Sequence, residues 1–102
     1  MDRVAMLNEI LSANPNDAFA RYGLALEYSN QGNIDQALTE FGKLLSGHPD
    51  YTAGYFMAAQ ALARASRVDE AKKMLTDGIA SAKRTSNPHA QSEMEGMLAE
   101  LG

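Results

Sequence analysis

His48 and His89 are the two side chains best suited to bind a metal or move a proton near neutral pH, and each lies beside a proline at a turn. A metal centre needs further ligands at matched spacing, and the sequence reading places no second histidine or carboxylate beside either one. The chain has no cysteine, which removes disulfides, thiolate chemistry and cysteine-based zinc or iron–sulfur sites. Its serines lie outside any G-x-S-x-G turn. Gly32, Gly42, Gly47 and Gly54 form no phosphate-cradling loop. Asp35 and the Asp69-Glu70 pair fall in first helical turns, where carboxylates complement the helix dipole, and Asp69/Lys73 adds an i,i+4 pair. These acids thus have a structural use, and the expectation is a protein with no catalytic residues, metal or cofactor.

Net charge is -4 over 102 residues, one domain's length. Non-specific nucleic-acid binding needs a positive stripe to neutralise phosphates, and none is present. Lys72-Lys73 and Lys83-Arg84 are short, acid-flanked pairs that read as solvated faces. No stretch approaches the roughly 20 apolar residues that span a bilayer, and the N-terminus lacks the apolar run of a signal peptide. A soluble cytoplasmic chain is the default expectation, with no nucleic-acid or membrane partner; a segment of a longer or exported protein would read the same. The six methionines are spread along the chain and read as core filler.

Apolar spacing and punctuation predict six helices, over residues 2–13, 16–31, 34–46, 51–65, 68–84 and 88–101. Val4, Leu7, Ile10 and Leu11 share one face of the first. Asn14-Pro15, Gly32-Asn33, Gly47-His48-Pro49 and Ser66 end successive helices, and Asn87-Pro88 opens the last. No window has the period of a strand. The short links make consecutive helices antiparallel neighbours, so the fold class is all-α, a solenoid of about six helices.

Ala37 and Ala71 stand 34 residues apart inside matching surroundings: Asp35-Gln36-Ala37 answers to Asp69-Glu70-Ala71, Ala25 to Ala59, Phe41 to Leu75 and Tyr28 to Leu62. A fixed period of this length marks a helical solenoid whose units must stack to bury their apolar faces. Arg21-x2-Leu24-Ala25-x2-Tyr28, Ala37-x3-Phe41 and Pro49 form one copy; Tyr55-x2-Ala58-Ala59-x2-Leu62 and Ala71-x3-Leu75 form the next. The pattern resembles the tetratricopeptide repeat (TPR) family. Arg21 and Lys83 depart from it, standing where a large apolar residue and a proline are usual. The resemblance implies one domain over 1–102: a half-repeat helix over 1–14, repeats over 15–49 and 50–85, and a capping helix over 86–102 that begins a third repeat after a five-residue extension of helix 68–84. Arg3 and Leu98 occupy positions that are small in the full copies, and a missing neighbour at each end explains both.

In that family the first helix of each hairpin lines a concave face used to hold another protein. By register this face takes Phe19, Tyr22, Leu26, Ser29 and Asn30, then Ala53, Phe56, Gln60, Ala63 and Arg64, then Ser92, Glu95 and Ala99, with Asp17 and Tyr51 on the rim. The resemblance implies an interaction module whose peptide groove is built on Phe19, Tyr22, Leu26, Asn30, Tyr51, Phe56, Gln60 and Arg64. Only Asn30 and Arg64 suit the grip on a C-terminal carboxylate that some members use. Alternatively, helix 88–101 covers these side chains, or they pack between helices. A second function is self-association through the terminal helices, so that the chain is a monomer or a weak homo-oligomer.

Overall fold

The computed structural model describes residues 2–102; Met1, counted in the first half-repeat and among the methionines, lies outside them. Six α-helices follow one another: α1 (Arg3–Ala13), α2 (Ala18–Asn30), α3 (Ile34–Gly47), α4 (Thr52–Arg64), α5 (Val68–Arg84) and α6 (Pro88–Leu101). No strand occurs among the described residues.

The helix ends follow from local chemistry. Asp2, Asp17 and Asn87 side chains accept from the backbone N–H three residues on, at 2.7, 3.0 and 3.2 Å, which satisfies donors that have no helical partner. α2, α4 and α5 each end with a residue at positive φ, Gly32, Ser66 and Ser86. The next N–H then reaches back five residues, Asn33 to Tyr28 O, Arg67 to Leu62 O and Asn87 to Ala82 O, at 2.8–2.9 Å. Gly32 and Ser66 are one 34-residue period apart.

The direction of each helix can be read from its contacts. His48 Nε2, just past the end of α3, lies 3.2 Å from Asn16 O before α2, so α3 runs back along α2. Tyr51, opening α4, stacks on Tyr22 near the start of α2, and Arg64 at the end of α4 donates to Ser29 near the end of α2. α2 and α4 therefore run side by side in the same direction. α2 touches α4 and α4 touches α6, whereas α1, α3 and α5 touch only helices of the other set. The stack therefore curves around α2, α4 and α6, which form its inner row.

The core is a chain of three clusters. Leu7, Leu11, Ala20 and Leu24 join α1 to α2. Ala25, Ala37, Phe41, Leu44 and Ala58 join α2, α3 and α4. Tyr55, Ala59, Leu75, Ala82 and Met94 join α4, α5 and α6. Tyr28 bridges the first two and Met74 the last two. Ala25, Ala37, Ala59 and Ala71 are fully buried, as the small positions of the repeat require. Met94 is core, Met57, Met74 and Met97 are half-buried, and Met6 is exposed. Each fully buried large side chain stabilises the stack by about 1.5–3 kcal/mol.

Three details differ from the sequence reading. Lys73 pairs with Asp77 at 2.7 Å rather than with Asp69, because the carboxylate one turn on lies within reach of the same ammonium. Arg84 is more than a solvated charge: it reaches Asp50 at 2.8 Å and Pro49 O at 3.2 Å, tying the end of α5 to the loop before α4. His89 does have a carboxylate at i,i+4, Glu93 at 3.1 Å. No group of three metal-ligating side chains accompanies them among the described residues.

Candidate binding groove

The inner row presents four of the eight groove residues from α2. Phe19 is 76% exposed, the highest fractional exposure of any large apolar side chain among the described residues. Tyr22 and Leu26 are half-buried against the central cluster, and Asn30 is exposed at the helix end. Tyr51 packs against Tyr22 with ring centroids 5.2 Å apart at 48°, a tilted aromatic pair. Burial, and secondarily Tyr51, raises the pKa of Tyr22; burial, and secondarily Asp17, raises that of Tyr51. Both phenols are thus held neutral as part of the wall.

Phe56 and Gln60 lie one turn apart on α4. They line a cleft of about 420 Å³ with Ser92, Glu93, Gly96, Met97 and Glu100 of α6. Glu95 and Ala99, expected on this face, are exposed but outside the cleft. The stripe of α6 that faces α4 is instead Glu93, Gly96, Met97 and Glu100, at i, i+3, i+4 and i+7. Ser92, also expected on this face, does line the cleft, and the i, i+3, i+4, i+7 spacing of the stripe was present in the sequence. Asn30 and Arg64 meet Ser29, Gly32 and Ile34 in a second hollow of about 440 Å³ at the far end of the row. There Arg64 donates to the Ser29 hydroxyl, so its guanidinium is turned towards α2.

α6 lies next to α4 and α5 and makes no contact with α2. It therefore extends the inner row and leaves the α2 part uncovered. The half-burial of Tyr22, Leu26 and Phe56 shows that these side chains also serve the packing between helices. The eight residues thus form a central aromatic strip, with one cleft beside α6 and a polar hollow at the helix C-termini.

Two tetratricopeptide repeat family models match the chain, one over residues 28–94 and one over residues 6–39. The chain belongs to the tetratricopeptide repeat family. A TPR repeat-containing protein of Pseudomonas aeruginosa is 25% identical over 95 residues, covering 93% of this chain and 90% of the relative. A tetratricopeptide repeat domain protein from Salinibacter ruber superposes with a TM-score of 0.80 at 30% identity, covering 86% of this chain and 89% of that one. PcrH, solved in complex with the chaperone binding region of PopD, shares the fold at a TM-score of 0.89 and 17% identity, over 96% of this chain and 74% of its own. A tetratricopeptide repeat fold is that of a protein-interaction module. No described helix is long and apolar enough to cross a membrane.

Proposed function

We propose that the inner row of α2, α4 and α6 binds a segment of a partner protein, and that the chain is a binding module rather than an enzyme. The observation that carries this is a set of apolar side chains on the row's helices, with Phe19 exposed and Tyr22, Leu26 and Phe56 half-buried. Aromatic side chains in such a setting supply most of the energy of protein recognition. Helices of 13–14 residues give a groove about 20 Å long at about 1.5 Å per residue. That length holds about six extended residues, or a short helix. PcrH, with the same fold, accommodates a region of another protein, which supports this use of the architecture.

In this arrangement α1 and α6 are half-repeats flanking full repeats over 15–49 and 50–85. Of the row's two arginines, Arg21 pairs with Glu40 of α3 and Arg64 donates to Ser29, whereas Glu93, Glu95 and Glu100 are exposed on α6, which favours a protein partner over a nucleic acid. Self-association through the ends is disfavoured by two packing facts. Arg3 occupies the small position of α1 and pairs with Glu27 at 3.5 Å, and Leu98 fills the small position of α6 against the last cluster. Both would obstruct the close approach of a further helix.

The test is affinity capture from source lysate, comparing wild type with Tyr22→Ala/Phe56→Ala and with Phe19→Ser. The double variant should lose the captured partner while keeping its helical circular dichroism. Phe19→Ser leaves the core untouched and should weaken capture on its own. Capture unchanged by all three substitutions sinks the groove assignment.

A further inference from the structure

Building on the groove proposed above, we infer that its α4–α6 end recognises an extended partner segment in which an apolar side chain stands between two lysines or arginines. Phe56 and Met97, both half-buried, form an apolar floor. Gly96 opens the floor: a Cβ there would meet no atom within 4 Å, so a ligand can approach the backbone of α6. Glu93 and Glu100 stand on either side of that opening, on the stripe that faces α4.

Charge decides what the opening takes. Neither lysine nor arginine occurs in α6, and none lines the cleft. The nearest arginine of α4, Arg64, is directed at Ser29. His89 lies beside Glu93 on the exposed side of α6, and Gln91 donates to Glu95 at 3.3 Å, so neither supplies a fixed positive charge inside the cleft. An acidic or C-terminal carboxylate ligand would therefore meet like charge, whereas a basic one meets two carboxylates, of which Glu93 is shared with the exposed His89 imidazole.

Spacing sets the pattern. Seven residues of helix place Glu93 and Glu100 about 10 Å apart, the length of about three extended residues. Successive side chains of an extended segment alternate between faces, so basic side chains two positions before and two after an apolar one share its face; they stand about 13 Å apart, and their flexible stems reach the two carboxylates while the apolar side chain rests on Phe56 and Met97.

The probe is a set of nonapeptides with a Gly/Ser framework and a central phenylalanine, with two Lys, two Gln or two Glu placed two positions before and two positions after it. They are titrated into isotopically labelled full chain up to millimolar concentration and followed by amide chemical shifts. The Lys peptide should bind tightest and shift Phe56, Gly96 and Met97. Glu93→Gln/Glu100→Gln should weaken it about fivefold at low salt and leave the Gln peptide unchanged. Phe56→Ala should weaken all three. Equal binding of the Lys and Gln peptides, with Phe56→Ala still disruptive, overturns this inference and leaves the groove standing. Preference for the Glu peptide also overturns it. No binding of any peptide overturns both, as does a concentration-dependent dimer that peptides displace.

Discussion

Arg21 and Tyr55, 34 residues apart and unlike in chemistry, make the same bond: Arg21 Nη2 donates to Pro15 O at 3.0 Å, and Tyr55 Oη donates to Pro49 O at 2.7 Å. Each ties the loop that enters a helix pair to the first helix of that pair. Arg21 is thus accommodated where the family pattern has a large apolar side chain. Its other arm reaches Glu40 on α3 at 2.6 Å, with side-chain exposures of only 16% and 12%. Removing one member of a fully buried pair costs about 3–5 kcal/mol. Here Lys43, 3.8 Å from Glu40, and residual solvent reduce that. Arg21→Ala should cost about 2 kcal/mol in urea unfolding, and Arg21→Ala/Glu40→Gln should recover part of it. A single-variant loss below about 0.5 kcal/mol would show that the pair is screened like a surface one.

Gly78 stands one period after the fully buried Leu44, an exchange of the largest kind in a core position. Its space is filled by neighbours. A Cβ at Gly78 would lie 2.5 Å from Met94 Sδ and 2.6 Å from Tyr55 Cβ. The thioether can swing aside, but Tyr55 Cβ is fixed to the α4 backbone. Gly78→Ala should therefore cost about 1–3 kcal/mol despite the gain in helix propensity. Adding Met94→Ala should not restore the loss. Thermal melts that show Gly78→Ala at or above wild type would mean that α4 and α5 separate easily.

The repeat made most of the fold readable before any coordinates. Ala25, Ala37, Ala59 and Ala71 identified the close approaches, and helix ends came out within two residues because Asp17, Gly32, Pro49 and Pro88 act locally. That α2 and α4 lie side by side was legible for the same reason, since the period makes them equivalent helices of successive repeats. What escaped depended on partners distant in sequence. The Arg21–Glu40 pair, the Thr52–Ser81 hydroxyl pair buried at 2.8 Å, and the Gly78–Met94 exchange each need two elements at once. The cleft-facing stripe of α6 escaped because which face of a terminal helix borders the cleft depends on its packing against α4 and α5, which the repeat register does not carry.

Ser66 has φ 61°, whereas Gly32, one period earlier, has φ 79°. Both end a helix of the inner row, but only glycine takes this left-handed conformation without a Cβ penalty. The bond from Arg67 N to Leu62 O at 2.8 Å holds Ser66 there. Ser66→Gly relieves the strain at the expense of a more flexible unfolded chain. The balance should favour the variant by about 0.5–1 kcal/mol, read as a melting temperature several degrees higher. A melting temperature at or below that of wild type would mean that the serine conformation is not strained.

The raised pKa values of Tyr22 and Tyr51 give the groove wall a measurable pH signature. An unfolded tyrosine titrates near pH 10. In the folded chain both phenols hold their protons to higher pH, because burial, and for Tyr22 the facing Tyr51, penalises the phenolate. The folded state therefore binds more protons than the unfolded state above about pH 10, and the slope of stability against pH is negative there. The contribution is fully present below the unfolded value and lost as pH rises through the folded one. Tyr22→Phe/Tyr51→Phe keeps the ring packing and removes the titration. Wild type and variant should melt with similar pH dependence up to about pH 9, after which wild type should fall more steeply. All other groups are common to both proteins and cancel in the comparison. Equal slopes between about pH 10 and 12 would show that solvent reaches both phenols in the folded state, and that the wall between α2 and α4 is open at its aromatic end.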